Sequence, residues 1–181
     1  MNEEENINQQ NSIWTIGHST HPEETFLELL TAYGIRLLAD VRRFPNSARH
    51  PQFNQENLKS KLHELSIEYV HFPELGGRRT PKKDSRNMAW RVAAFRGYAD
   101  YMESDDFKNA MDRLQKMARE KNTAYMCAEA PWWRCHRSLI SDYLKAAGWK
   151  VIHIMSLKKS EEHPYTKPAA LVHGKLDYTG K

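Results

Sequence analysis

The stretch Tyr125–Arg137, Y-M-C-A-E-A-P-W-W-R-C-H-R, decides how the rest of the chain is read. It opens on a short apolar run, T-A-Y-M-C-A, that suits a buried strand. It closes on C-H-R-S-L-I-S-D-Y-L-K-A-A-G, in which Leu139, Ile140, Tyr143, Leu144 and Ala147 share one helical face and Gly148 stops the helix. The expected order is strand, polar and aromatic loop, helix N-terminus, with Cys135, His136 and Arg137 in the first turn. Ligands of open α/β sheets gather at such strand exits, and a helix N-terminus favours an anion. Glu129, Cys135, His136 and Arg137 can therefore do acid–base work on an anionic substrate. The structural alternative is an Arg137–Glu129 pair, a His136 bound to a backbone carbonyl, and two cysteines that fill core.

Outward from this stretch, strand and helix alternate. Ser12–Gly17, 35–40, 67–72, Thr123–Cys127 and 149–155 read as five strands, with helices between them marked by apolar residues at helical spacing. Ser104 is a fitting cap for the helix that contains Phe107, Met111 and Leu114. The pattern predicts an α/β fold with a mostly parallel sheet of about five strands flanked by helices. Residues 158–162 read as a charged turn, and the segments around Leu171 and Leu176 as a small hairpin across His173-Gly174.

Length and composition bound the class. The 181 residues suit one domain, expected over 12–181 behind a disordered polar tail over 1–11. Two cysteines with seven residues between them are no disulfide framework and point to a reducing compartment. The N-terminal residues offer neither a basic start nor an apolar run, so no signal peptide is expected, nor is any membrane span. A cytoplasmic protein is the expectation. The net charge is only +4, but 42–50 holds three arginines and no acid, and 78–91 holds six basic residues and one acid. The basic excess is thus concentrated in two loops, which suits an anionic small molecule or nucleic acid as partner.

The functional signal lies in the residues just past each strand. The first strand leads into His18, Ser19 and Thr20. The second ends in Asp40, with Arg42, Arg43 and Ser47 beyond it. The third leads to Gly76, Gly77 and Arg78, and the fourth to Glu129, Trp132, Cys135, His136 and Arg137. In a parallel sheet these exits share one edge and would converge on one cleft. The motifs T-I-G-H-S, A-D-V-R-R-F-P-N-S, H-F-P-E-L-G-G, C-A-E-A-P-W-W-R-C-H-R and V-I-H-I-M together resemble the domain of unknown function 488 family. The resemblance covers nearly the whole chain and implies a single Rossmann-like α/β domain without a settled activity. Its signature positions here are His18, Ser19, Asp40, Arg42, Pro45, Ser47, Phe53, Gly76, Gly77, Cys127, Glu129, Cys135, His136, Arg137 and His153.

Several chemistries lack their pattern. No dinucleotide fingerprint and no P-loop is present, and no cofactor is expected. Cys127, Cys135, His136 and His153 are metal-ligand types, but C-x7-C-H matches no standard zinc spacing and neighbours on a helical turn point apart, so no metal is expected either. Cys135 at a helix N-terminus has its thiolate favoured, which keeps cysteine chemistry open. The preferred reading uses Glu129 or Asp40 as general acid or base with His136 and Cys135 in the site. His18, Ser19, Arg42, Ser47, Gly76, Gly77, Trp132 and Arg137 would bind substrate. Hydrolysis or cleavage of a bond in a nucleotide or nucleic acid fits these residues. A non-catalytic nucleic-acid or nucleotide binding module and a cysteine-dependent redox or metal-binding protein are the alternatives.

Overall fold

The computed structural model describes residues 11–180. The expected tail therefore lies, except for Asn11, outside the described residues, and the Asn11 carbonyl accepts the Lys150 amide at 2.8 Å. Strand β1 (Ser12–Gly17) leads to helix α1 (Glu23–Ala32), β2 (Leu37–Asp40) to α2 (Gln55–Glu64), and β3 (Glu68–His71) to α3 (Ala93–Tyr101) and α4 (Asp105–Glu120). β4 (Thr123–Cys127) leads to α5 (Arg137–Ala146) and β5 (Lys150–Ser156). Then come β6 (Lys159–Glu162) and the hairpin β7 (Ala170–Val172)–β8 (Lys175–Asp177). The protein is α/β, with one six-stranded sheet in the order β3-β2-β4-β1-β5-β6, parallel except for β6.

Residues of one strand alternate between two cores, as a pleated strand requires. Leu37, Ala39, Tyr125 and Cys127 meet the side of the sheet covered by α3, α4 and α5, whereas Leu38, Ala124 and Met126 meet the side covered by α1 and α2. Adjacent strands β2 and β4 therefore send their chains to opposite faces, β2 through α2 and β4 through α5. A crevice opens between such exits, and ligands of doubly wound sheets bind there.

Two expectations change. The sheet has six strands, because 159–162 is no turn but an edge strand antiparallel to β5. Its residues K-S-E-E carry no apolar alternation because an edge strand faces solvent, where charge also blocks unwanted pairing. Helix α5 begins at Arg137, so Cys135 and His136 precede the helix: Cys135 is extended (φ −126°, ψ 150°) and His136 is the capping residue.

Candidate functional site

The exits of β1 and β4 are zipped together by backbone bonds. The His18 and Ser19 amides donate to the Cys127 and Ala128 carbonyls at 3.0 and 2.8 Å. Gly17 permits this approach, since a side chain there would collide with the Glu129 carbonyl. The Val41 amide bonds the Met126 carbonyl at 3.0 Å and brings in the β2 exit. His18, Asp40 and Glu129 thus belong to one rim, and Gly77 reaches it from the loop after β3, against the His136 ring.

A cleft of about 260 Å³ opens at that rim. Arg42, Arg43 and Phe44 come to it from β2, Gly77 and Arg78 from the loop after β3, and Phe95 and Tyr98 from α3. Cys127, Glu129, Arg134, Cys135 and His136 come from the end of β4 and the loop beyond it. Pockets that swallow a drug-sized ligand run from about 300 to 1,000 Å³, so this cleft suits the reacting part of a ligand whose remainder stays on the rim.

At its floor stand both thiols and one imidazole. His136 Nδ1 lies 3.6 Å from Cys135 Sγ and 4.0 Å from Cys127 Sγ, and His136 Nε2 is 3.1 Å from the Val41 carbonyl. A carbonyl can only accept, so Nε2 carries a proton, and Nδ1 is the nitrogen turned toward the sulfurs. The Tyr98 ring packs 5.1 Å from His136, while its hydroxyl donates to the Leu75 carbonyl at 2.7 Å. Gly77 completes the fit: a Cβ at that position would stand 2.9 Å from Nδ1. The thiols differ. Hydrogen bonding with Cys135, then burial, pushes Cys127 well up. Burial pushes Cys135 up too, but its bond with Cys127 and the nearby His136 and Arg137 outweigh that and hold it well below the usual thiol range. The Arg137 amide also donates to Cys135 Sγ at 3.5 Å.

The two carboxylates expected to act have different places. Asp40 is fully buried and saturated: it accepts Arg42 Nε, Nη2 and amide bonds at 2.9, 2.5 and 3.0 Å and the Tyr69 hydroxyl at 2.6 Å. Burial and this charge push the Tyr69 hydroxyl well up, so it remains a donor. Asp40 holds Arg42 in place and has no lone pair facing the cleft in a free state. Glu129 is exposed on the rim, and among the described residues its carboxylate makes no hydrogen bond or ion pair.

Other expected binders turn out to be supports. His18 is buried, stacks on Phe53 at 4.2 Å, and stands behind Arg42, with Nε2 3.4 Å from Nη1. Arg137 is 1% exposed and donates to Thr15 Oγ1 at 2.9 Å and to the Glu129 and Ala130 carbonyls at 2.5 and 3.1 Å. Its tie to Glu129 is thus to the backbone, which leaves that carboxylate free. Trp132 is no platform for a base: it stacks on His153 at 4.3 Å and donates from Nε1 to Glu161 at 2.5 Å. Ser47 Oγ accepts the Arg49 and His50 amides at 3.2 and 3.3 Å and shapes its own turn. Ser19 holds a left-handed backbone (φ 46°), and Gly76 packs against the Arg43 backbone. Neither serine lines the cleft, nor does Gly76.

The rim also carries Phe44 and one arginine from each of the two basic loops. Phe44 is 63% exposed, and the guanidinium groups of Arg43 and Arg78 lie 5.7 and 5.9 Å from its ring centre. Arg43 Nη1 also donates to the Arg78 carbonyl at 3.2 Å. Arg-Arg-Phe and Gly-Gly-Arg directly after two strands were the available signal. Among the described residues no helix is long and apolar enough to cross a membrane.

A family model described as a domain of unknown function, DUF488, matches residues 23–144. No curated protein and no solved structure matches the chain significantly.

Proposed function

The chain belongs to the family of the domain of unknown function DUF488, and from the geometry of its cleft we propose that it is an enzyme cleaving a bond in a nucleotide or nucleic-acid substrate. What supports this most is one juxtaposition. The free carboxylate of Glu129 shares a half-open cleft with the Cys127, Cys135 and His136 cluster, and exposed Arg43, Arg78 and Arg134 ring its mouth. Three exposed guanidinium groups outweigh the one carboxylate and attract a polyanion, while the exposed Phe44 ring, with Arg43 and Arg78 beside it, offers an aromatic and cationic surface to a base. The reacting group enters the cleft and the rest of the substrate stays on the rim. Glu129 supplies or removes the proton at the scissile bond, an N-glycosidic or phosphoester bond that needs no redox partner.

The test is product release from a panel of nucleosides, nucleotides and short oligonucleotides. Glu129→Gln is expected to lower turnover by about a hundredfold or more with binding kept. Arg43→Ala with Arg78→Ala is expected to weaken binding and flatten its salt dependence by about 0.7–0.9 per arginine. Salt-sensitive binding with no product from any substrate would instead make this a binding module and overturn the catalytic reading. Unchanged turnover in Glu129→Gln would do the same for the role given to Glu129.

A further inference from the structure

We infer that Cys127, Cys135 and His136 form a three-ligand site for a divalent, thiophilic metal ion, zinc by ligand chemistry, with a fourth position open to the cleft. The three donor atoms, Cys127 Sγ, Cys135 Sγ and His136 Nδ1, lie within 4.8 Å of one another. A tetrahedral zinc centre with its usual bond lengths separates sulfur from nitrogen by about 3.5 Å. The measured sulfur–nitrogen separations are 3.6 and 4.0 Å. Both sulfur–nitrogen separations are thus close to those of a tetrahedral zinc centre.

Neighbours on a helical turn would point apart, but Cys135 and His136 do not share one. Cys135 is extended while His136 is helical (φ −57°, ψ −14°), and this break in the turn lets the two side chains meet. Three further features match a metal centre. His136 is fixed by its other nitrogen to the Val41 carbonyl, the usual way a ligating imidazole is oriented. The Arg137 amide donates to Cys135 Sγ, as amides do to metal-bound thiolates. All three ligand residues line the cleft, so a fourth ligand, water or substrate, has access; structural zinc sites are closed, whereas catalytic ones keep such a position. Charge agrees as well. Two thiolates and a divalent ion sum to zero, so the loaded site adds no net charge beside buried Arg137 and the Arg42–Asp40 pair.

The inference deepens the reading of this cleft as a reaction site and rests on it for the ion's use, but not for its binding. Its readout is therefore metal content. Full-length chain, purified under reducing conditions and stripped with chelator, is titrated with zinc chloride and cobalt chloride. The expected result is one equivalent per chain, a thiolate-to-cobalt charge-transfer band, and the visible bands of tetrahedral cobalt. Cys127→Ser and His136→Ala each lower affinity a hundredfold or more. In wild-type protein, which needs no folding control, zinc shields both thiols from a thiol reagent and chelator exposes them. Cobalt bound without the thiolate band, substoichiometric uptake equal in wild type and variants, or thiols equally reactive with and without zinc overturns the inference. A chain that takes no metal and closes a Cys127–Cys135 disulfide under mild oxidation overturns it in favour of dithiol chemistry. Neither result bears on whether Glu129 acts, which turnover alone reads.

Discussion

Asp40 and Glu129 carry the same functional group at the exits of adjacent strands, yet their surroundings separate them. Asp40 gives its lone pairs to Arg42 and Tyr69 at zero exposure, and Glu129 stands free on the rim. Removing one partner of a buried ion pair leaves the other charge uncompensated and costs about 3–5 kcal/mol, whereas an unbonded surface carboxylate contributes within about 0.5 kcal/mol. Urea denaturation should therefore show Asp40→Asn destabilised by about 3–5 kcal/mol and Glu129→Gln unchanged. The opposite pattern in activity would accompany it, with Glu129→Gln folded and inert. That both residues end up on one rim could be read from the chain. Which of them is free could not, because the partner that saturates Asp40 includes Tyr69, brought alongside only by the pairing of Asp40 with His71 between β2 and β3. The same holds for Trp132, whose role is set by His153 on β5.

Elements with a strong apolar period were legible almost to the residue. β1 and β4 have the expected bounds, and α4 starts at its Ser104 cap, whose hydroxyl accepts the Phe107 amide at 3.3 Å. Elements defined by pairing rather than pattern were not, as edge strand β6 shows. The basic loop after β3 is a third case: it has no regular structure but is anchored. Asp100, buried on α3, accepts the Lys82 amide at 2.8 Å, the Ser85 hydroxyl at 2.6 Å and Asn87 Nδ2 at 2.8 Å. Burial alone would raise this carboxyl, but the bonds from Ser85 and Asn87 prevail and hold it below the usual range, so it stays ionised. Bonds to a charged acceptor contribute about 1.5–3 kcal/mol each at most and are not additive. Asp100→Ala should leave the sheet intact and loosen 78–91, which presents Arg78 to the cleft. Limited trypsin digestion should then cut at Lys82, Lys83 and Arg86 far faster than in wild type, with far-ultraviolet circular dichroism preserved. Equal cutting rates would mean that packing of Gly97 against the Arg79 backbone, not Asp100, holds the loop.

At the scale of the molecule, alternation of strand and helix gives a parallel sheet but not its order. Placing β4 between β2 and β1 requires contacts far apart in sequence, and that placement creates the crevice. The same sheet buries two histidines whose neutrality the fold requires. His18 is held between Phe53 and Arg42 with His50 nearby, and burial lowers it to about 4. His153 is stacked on Trp132 and faces His163 and Arg137; burial first, then these two neighbours, lower it to about 2. Asp142 accepts from His163 Nε2 at 2.9 Å, and His163 Nδ1 shares a 2.9 Å hydrogen bond with His153 Nε2. The remaining His153 Nδ1 has no partner among the described residues, and a proton there would face Arg137. Both native values lie below the unfolded value of about 6.5, so the unfolded chain takes up protons first as pH falls. The stabilisation is present above pH 6.5 and is lost between about 6.5 and 4 for His18 and on toward about 2 for His153. By linkage each group costs about 2 kcal/mol at pH 5, or about 4 kcal/mol together as an upper bound. Denaturation curves at pH 7.5 and pH 5 should differ by that order, and His18→Gln should flatten the dependence by about half whatever it does at neutral pH. A stability that is level between those two pH values would mean that both rings take up their protons in the native state as readily as in the unfolded chain.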